Sequence, residues 1–200
     1  MQNKIDLHSE EIHFPNEILS IIMTELASSD TEDDYETLAS CRLASSVLCS
    51  LATPVFFSSI SIWLTDYINR DESADRRRFE ERAKRLNQIL TIDNIAASVR
   101  TFKLTMHWDY QILKNPINSA LMFAILRRLP HIRNFTLSTV DFSRFWIPQD
   151  FESAIQALCR SPNFTTFCLD MVQDFPFRYI ATCPNLRLLN STLQVNFFFQ

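Results

Sequence analysis

From Pro15 to Ala27 apolar side chains occupy Ile18, Leu19, Ile21, Ile22, Met23 and Leu26. That is more than the single stripe a surface helix needs. Pro15 suits the opening turn of a helix, where its missing N–H is no loss, and Glu17 complements the dipole there. The helix is expected to end near Ala27, ahead of the acidic, loop-like "SSDTEDDYE". Leu38, Cys41, Ala44, Leu48 and Leu51 then recur at 3, 3, 4 and 3 residues, a helical period. A break is expected at Ser45 and Ser46, and a stop at Pro54. "VFFSSISIWL" alternates like a short strand or a last helical turn. Beyond it, Phe79, Ala83, Leu86, Ile89 and Leu90 read as one face of an amphipathic helix. The arginines and glutamates interleaved among them read as its solvated side.

The rhythm changes after Ser98. Four segments align: "VRTFKL" from Val99, "IRNFTL" from Ile132, "FTTFCL" from Phe164 and "LRLLNS" from Leu186. The first three carry apolar residues at i, i+3 and i+5, and the fourth keeps i and i+3. Their starts lie 33, 32 and 22 residues apart, and Pro130, Pro162 and Pro184 stand two residues before the last three. Helix-like stretches precede these: "INSALMFAILRRL", "DFESAIQALCRS" and "FPFRYIATC". Helix, proline and short alternating strand in succession predict stacked β-α units in a curved solenoid. An ordinary α/β domain with one parallel sheet has the same spacing and stays open as the alternative. In either case period-two alternation turns i+3 and i+5 inward and i+2, i+4 and i+6 outward. The outward set is Thr101, Lys103 and Thr105, then Asn134, Thr136 and Ser138, then Thr166, Cys168 and Asp170.

Composition narrows function more than fold. The 200 residues contain no glycine. Phosphate-cradling loops, dinucleotide fingerprints and nucleophile elbows need glycine where the backbone takes positive φ or approaches a ligand, so none is expected. Turns must rest on Asn, Asp, Ser and the eight prolines. Cys41, Cys49, Cys159, Cys168 and Cys183 form no CxxC pair, and His8, His13, His107 and His131 have no ligand spacing. Reduced thiols, no metal, no cofactor and no catalytic residue are expected. A net charge of -4 without a basic stripe gives no reason to expect nucleic acid. No apolar run approaches a membrane span, and "MQNKIDLHSEEI" has no apolar signal core. An intracellular protein, cytoplasmic or nuclear, is expected.

"FPNEILSIIMTEL" followed by "TLASCRLASSVLCSLATPVFFSSI" resembles the F-box, a motif of about fifty residues that opens Leu-Pro-x-Glu-Ile/Leu. The later half resembles the leucine-rich-repeat-like regions joined to F-boxes in many fungal proteins, "RLNQIL…NIAASVRTFKL" matching a phrase common there. The resemblance spans residues 13 to 190. Phe14 and Pro15 stand for the Leu-Pro pair, Ile18 and Leu19 for the next apolar positions, and Leu43, Ser45 and Leu48 for the family's "L-V-S-x-x-W" segment. Phe14 for Leu, Ala44 for Val and Leu48 for Trp are departures, and Ser46 lacks a basic side chain usual there.

The resemblance implies a mixed α/β chain in four parts: a flexible tail over 1–12, a three-helix module over 13–62, a linking amphipathic helix over 63–97, and repeats over 98–200. Phe14, Pro15, Ile18, Leu19, Ile22, Leu43 and Leu48 would dock a Skp-type adaptor and, through it, a cullin–RING ubiquitin ligase. The outward set, chiefly Thr101, Lys103, Asn134, Thr136, Ser138, Thr166 and Asp170, would meet a target protein. A repeat scaffold with a degenerate or ligase-independent F-box is the alternative. "LQVNFFFQ" at the end of the chain predicts a poorly capped last repeat, with Phe197 to Phe199 frayed or folded back.

Overall fold

A computed structural model of the chain describes residues 15–28, 32–63, 72–106, 116–139, 149–172, 175 and 177–192. The tail over 1–12, Phe14 and Phe197 to Phe199 lie outside them. The chain divides into two compact units, Met1–Phe56 and Phe57–Gln200.

The first unit holds three helices, α1 (Asn16–Ser28), α2 (Glu32–Ala44) and α3 (Ser46–Phe56), each packed on the other two. Pro15 precedes α1, and its carbonyl accepts the first helical bonds from the Ile18 and Leu19 amides at 3.0 and 3.2 Å. The break falls at Ser45, whose Oγ accepts from the Leu48 amide at 3.1 Å and so satisfies one orphan donor of α3. Pro54 does not stop the run: α3 continues two residues past it. Its missing amide and its ring act on the turn before it, towards the Ser50 carbonyl, so the two residues after it can stay helical. Met23, Leu38 and Ala52 form the core, with Leu26, Leu48, Leu51 and Phe56 half-buried around it. Phe56 ties α3 to α2. Tyr35 meets its ring edge-on at 6.3 Å, and the Arg42 guanidinium lies 4.9 Å from the ring centroid.

The second unit is a five-stranded sheet in chain order, every neighbouring pair parallel: β1 (Ser59–Trp63), β2 (Thr101–Met106), β3 (Asn134–Thr139), β4 (Thr166–Asp170) and β5 (Leu188–Thr192). The four aligned sequence segments supply β2 to β5. Residues 59–63 pair with β2, so the boundary expected at 62 falls at Phe56–Phe57 instead. The expected linking helix is two helices, α4 (Glu72–Ile89) and α5 (Asp93–Ser98). Phe79, Ala83 and Leu90 are buried, but Ile89 is exposed because it sits well round the helix from that face. Between strands lie α6 (Pro116–Arg127) and α7 (Gln149–Arg160). Before β5 the described part of the connection holds a short 3-10 helix (Phe177–Thr182), in keeping with the shorter 22-residue step.

Among the described elements the helices pack in one layer. α6 packs against α4 and α7, and α7 against the 3-10 helix. Beneath this layer Phe102, Phe135 and Phe167 stand in one register row and Leu104, Leu137 and Leu169 in the next, all buried. Phe102 stacks on Phe135 at 6.1 Å, and Phe135 meets Phe167 at 5.5 Å. These i+3 and i+5 residues face inward as the alternation predicts.

The turn before each strand is tied to its predecessor. Arg100 O accepts from the Arg133 and Asn134 amides at 2.7 and 3.0 Å, and Arg133 O from the Thr165 and Thr166 amides at 2.9 Å. Thr165 O accepts in the same way from the Arg187 and Leu188 amides. The residues after Pro162 and Pro184 extend the ladder: Asn163 donates to Pro130 O at 3.3 Å, and Asn185 to Pro162 O at 3.1 Å. With no glycine available, Met171 takes the left-handed turn that ends β4, at φ 56°.

Candidate functional site

Two surfaces carry the residues singled out in the sequence. On the helical unit, α1 turns Met23 inward and leaves Ile18, Ile21 and Ile22 exposed at 43%, 58% and 45%. They sit at i, i+3 and i+4, so they form one stripe. Leu43 and Val47 flank the Ser45 break between α2 and α3, exposed at 89% and 47%. Pro15 is exposed, while Leu19 and Leu48 are half-buried, Leu48 packing against the Leu38 core. The described residues of the expected adaptor set are thus all at least partly accessible. Ile21 and Val47 were missed. The spacing from Ile18 was the available signal for Ile21; Val47 was hidden by its place next to a helix break.

The outer face of the sheet arranges its side chains in rows set by the strand register. The first row is Ser59, Thr101, Asn134, Thr166 and Leu188, and the second is Ser61, Lys103, Thr136, Cys168 and Asn190. Thr101, Lys103, Asn134, Thr136 and Thr166 are half-buried, and Asn134 donates to Thr101 Oγ1 at 3.2 Å. The third row differs. Ser138, expected to face a target, is buried, as is Thr105 beside it. Ser138 donates its hydroxyl to Asp170 Oδ2 at 3.0 Å, so that hydroxyl is engaged within the protein, while Asp170 stays half-buried like the residues of the first two rows. Trp63, at the β1 edge of the third row, is 49% exposed and was missed because residues 55–64 read equally as strand or helix end.

Among the described residues no group of three or more His, Cys, Asp or Glu side chains is placed to hold a metal ion. Burial pushes the Cys159 and Cys183 thiols up from their ordinary value, Cys159 far up. Such thiols are poor nucleophiles. A shallow groove along α2 is lined by Asp33, Glu36, Thr37, Ser40, Cys41 and Ala44. A slot of about 240 Å³ lies between the ends of α6 and α7, among Leu126, Leu129, Ala154 and Leu158. In the groove the Thr37 and Ser40 hydroxyls donate to the Asp33 and Glu36 carbonyls of their own helix, at 2.8 and 2.9 Å. No described helix is long and apolar enough to cross a membrane. No family model, characterised protein or solved structure matches this chain.

Proposed function

We propose that the chain is an F-box substrate receptor: its helical unit docks a Skp-type adaptor of a cullin–RING ubiquitin ligase, and its repeat-like sheet unit holds a target. The observation that carries the reading is the exposed apolar stripe Ile18, Ile21 and Ile22 on a three-helix unit whose own core closes on Met23, Leu38 and Ala52. A unit this small that leaves its branched aliphatics in water is suited to a partner that covers them. Its three helices lie on the segment that resembles the motif, and Pro15 stands at the mouth of the first. The parallel sheet, with its described helices in one layer, supports the leucine-rich-repeat half of the reading.

In this role the chain itself makes and breaks no bond. It raises the effective concentration of target lysines near the ubiquitin-loaded enzyme, and the rate gain comes from proximity. The partner set is the adaptor, through it a cullin, and a target protein. Leu48, which stands where the family carries tryptophan, offers less outward area because it also fills the unit's own core. That favours, as second reading, a repeat scaffold whose F-box no longer engages the ligase. Co-purification separates the two. Wild type should recover the adaptor, and a Pro15→Ala, Ile18→Ala double variant should recover much less. Equal recovery by both proteins sinks the assignment.

A further inference from the structure

Arginine follows the first apolar residue in three of the four aligned segments, at Arg100, Arg133 and Arg187. Nothing in the open sheet face explains this. The strand register places these residues one step before the paired rows, at the edge where strands begin, with Thr165 between the last two. The same edge receives the ends of the helices. Arg128 follows α6, and Arg160 is the last residue of α7. Arg128, Arg133, Arg160 and Arg187 are exposed, and none of the four is in an ion pair among the described residues. Arg100, half-buried, is held by the carbonyls of Ala97 and Val99.

Among the described residues of α7 and β4, carboxylates stand away from this edge. Glu152 stands in the first turn of α7 and Asp170 ends β4, so both lie toward the opposite ends of their elements. Glu80 lies within α4 and pairs with Lys84 at 3.7 Å. Asp93, at the start of α5, is the described carboxylate whose chain position comes closest. Helix dipoles account for the arginines at the ends of α6 and α7. They do not account for Arg133 and Arg187, which sit on strand-leading turns.

We infer that this edge is a docking surface for a short acidic peptide segment. Its backbone is rigid: each turn is bonded to the last through the doubly accepting carbonyls and the Asn163 and Asn185 side chains. The arginines are therefore presented in fixed order before any ligand arrives, which lowers the ordering cost of binding. Arg133 and Arg187 are two strand spacings apart, roughly 10 Å. An extended peptide spans that distance in about three residues, so acidic side chains a few positions apart reach both guanidiniums. Arginine suits this task because its planar fork takes a carboxylate with two parallel bonds. The chain's net charge of -4 repels a long polyanion, so a local basic edge fits a short acidic segment better than a nucleic acid. As a description of target capture this rests on the receptor reading; as a binding surface it stands apart from it.

Fluorescence anisotropy on the full chain tests it, with a labelled Glu/Asp-rich peptide, its Gln/Asn counterpart, a phosphoserine-containing version and an oligouridylate of equal charge. The acidic peptide should bind, weaken as salt rises, and lose affinity about tenfold or more in an Arg133→Glu, Arg187→Glu variant. Arg133→Lys, Arg187→Lys should fall between that variant and wild type. A preference for the phosphoserine version over the plain acidic one keeps the surface and specifies the anion. Both arginines are exposed, so the thermal melt of each variant should match wild type, and adaptor recovery should be unchanged. That separates failure here from failure of the receptor reading. Equal binding by the charge-reversed variant, equal binding of the Gln/Asn peptide, no binding of the acidic peptides, or tighter binding of the oligouridylate each overturns the inference.

Discussion

In the helical unit Ile18, Ile21, Ile22, Leu43 and Val47 stay in water around a core of Met23, Leu38 and Ala52. In the sheet unit Phe102, Phe135 and Phe167 are wholly buried under a layer of helices, and the outer face carries hydroxyls and amides. Both segments are apolar-rich, so composition does not separate them. Periodicity does. A strand alternates with period two and turns every second side chain onto one covering layer. Three short helices have too little interior for the side chains they carry, and the surplus is left facing outward. The difference shows which unit leaves its surplus apolar surface uncovered.

Breaking the sheet unit should have the largest effect. Phe135 is the middle ring of the aromatic ladder and is fully buried. Phe135→Ala should cost about 3–5 kcal/mol, read as a lower urea midpoint for loss of β signal. Leu38→Ala, at the centre of the helical unit, should cost about 2–4 kcal/mol there. If the two units are separate cooperative bodies, the sheet's midpoint will stay in place while helical signal melts early; a common shift of both would contradict the comparison. Ser45→Ala should cost about 1 kcal/mol by leaving the Leu48 amide without its cap, and Ser45→Gly less.

A smaller effect should appear in alkali. Burial raises the Cys159 thiol, so the folded chain keeps this proton where the unfolded chain, with a value of 9.0, has released it. Above that value the unfolded state binds fewer protons, and stability falls as pH rises; below it the group contributes no slope. Urea midpoints measured on either side should show a steeper alkaline loss in wild type than in Cys159→Ala. Parallel losses would mean that the thiol is not shielded as the structure has it.

The sheet was legible because its signal is repeated. The phrase carried by Pro130, Pro162 and Pro184 recurs in step with a period-two alternation, and Val99, Ile132 and Phe164 mark the buried anchor of each turn. Its first strand was ambiguous because "SSISIW" stands alone, with no proline phrase before it and a helix immediately upstream. Ser138 was misplaced for a different reason. Alternation gives the side of the sheet correctly but says nothing about how far along the strand that side remains open. In the helical unit the crowding of α1 signalled surplus apolar area, and the Ser45 break was visible as a capping residue between two helical runs. Ile21 was legible and overlooked. Pro54 misled because a proline disturbs the turn before it and leaves the residues after it free to stay helical, as Val55 and Phe56 do.

The central claim is that the exposed stripe of α1 exists to be covered by the adaptor. Calorimetric titration of purified adaptor into the full chain tests it most directly, comparing wild type with Ile18→Ala, Ile22→Ala and the buried-side control Leu26→Met. Each stripe variant should lose about 1–3 kcal/mol of binding, roughly 5- to 150-fold in Kd. Both should keep the wild-type melting temperature, because these side chains are exposed. The control should bind as wild type. Unchanged affinity in both stripe variants, or no measurable binding by wild type, would contradict the account.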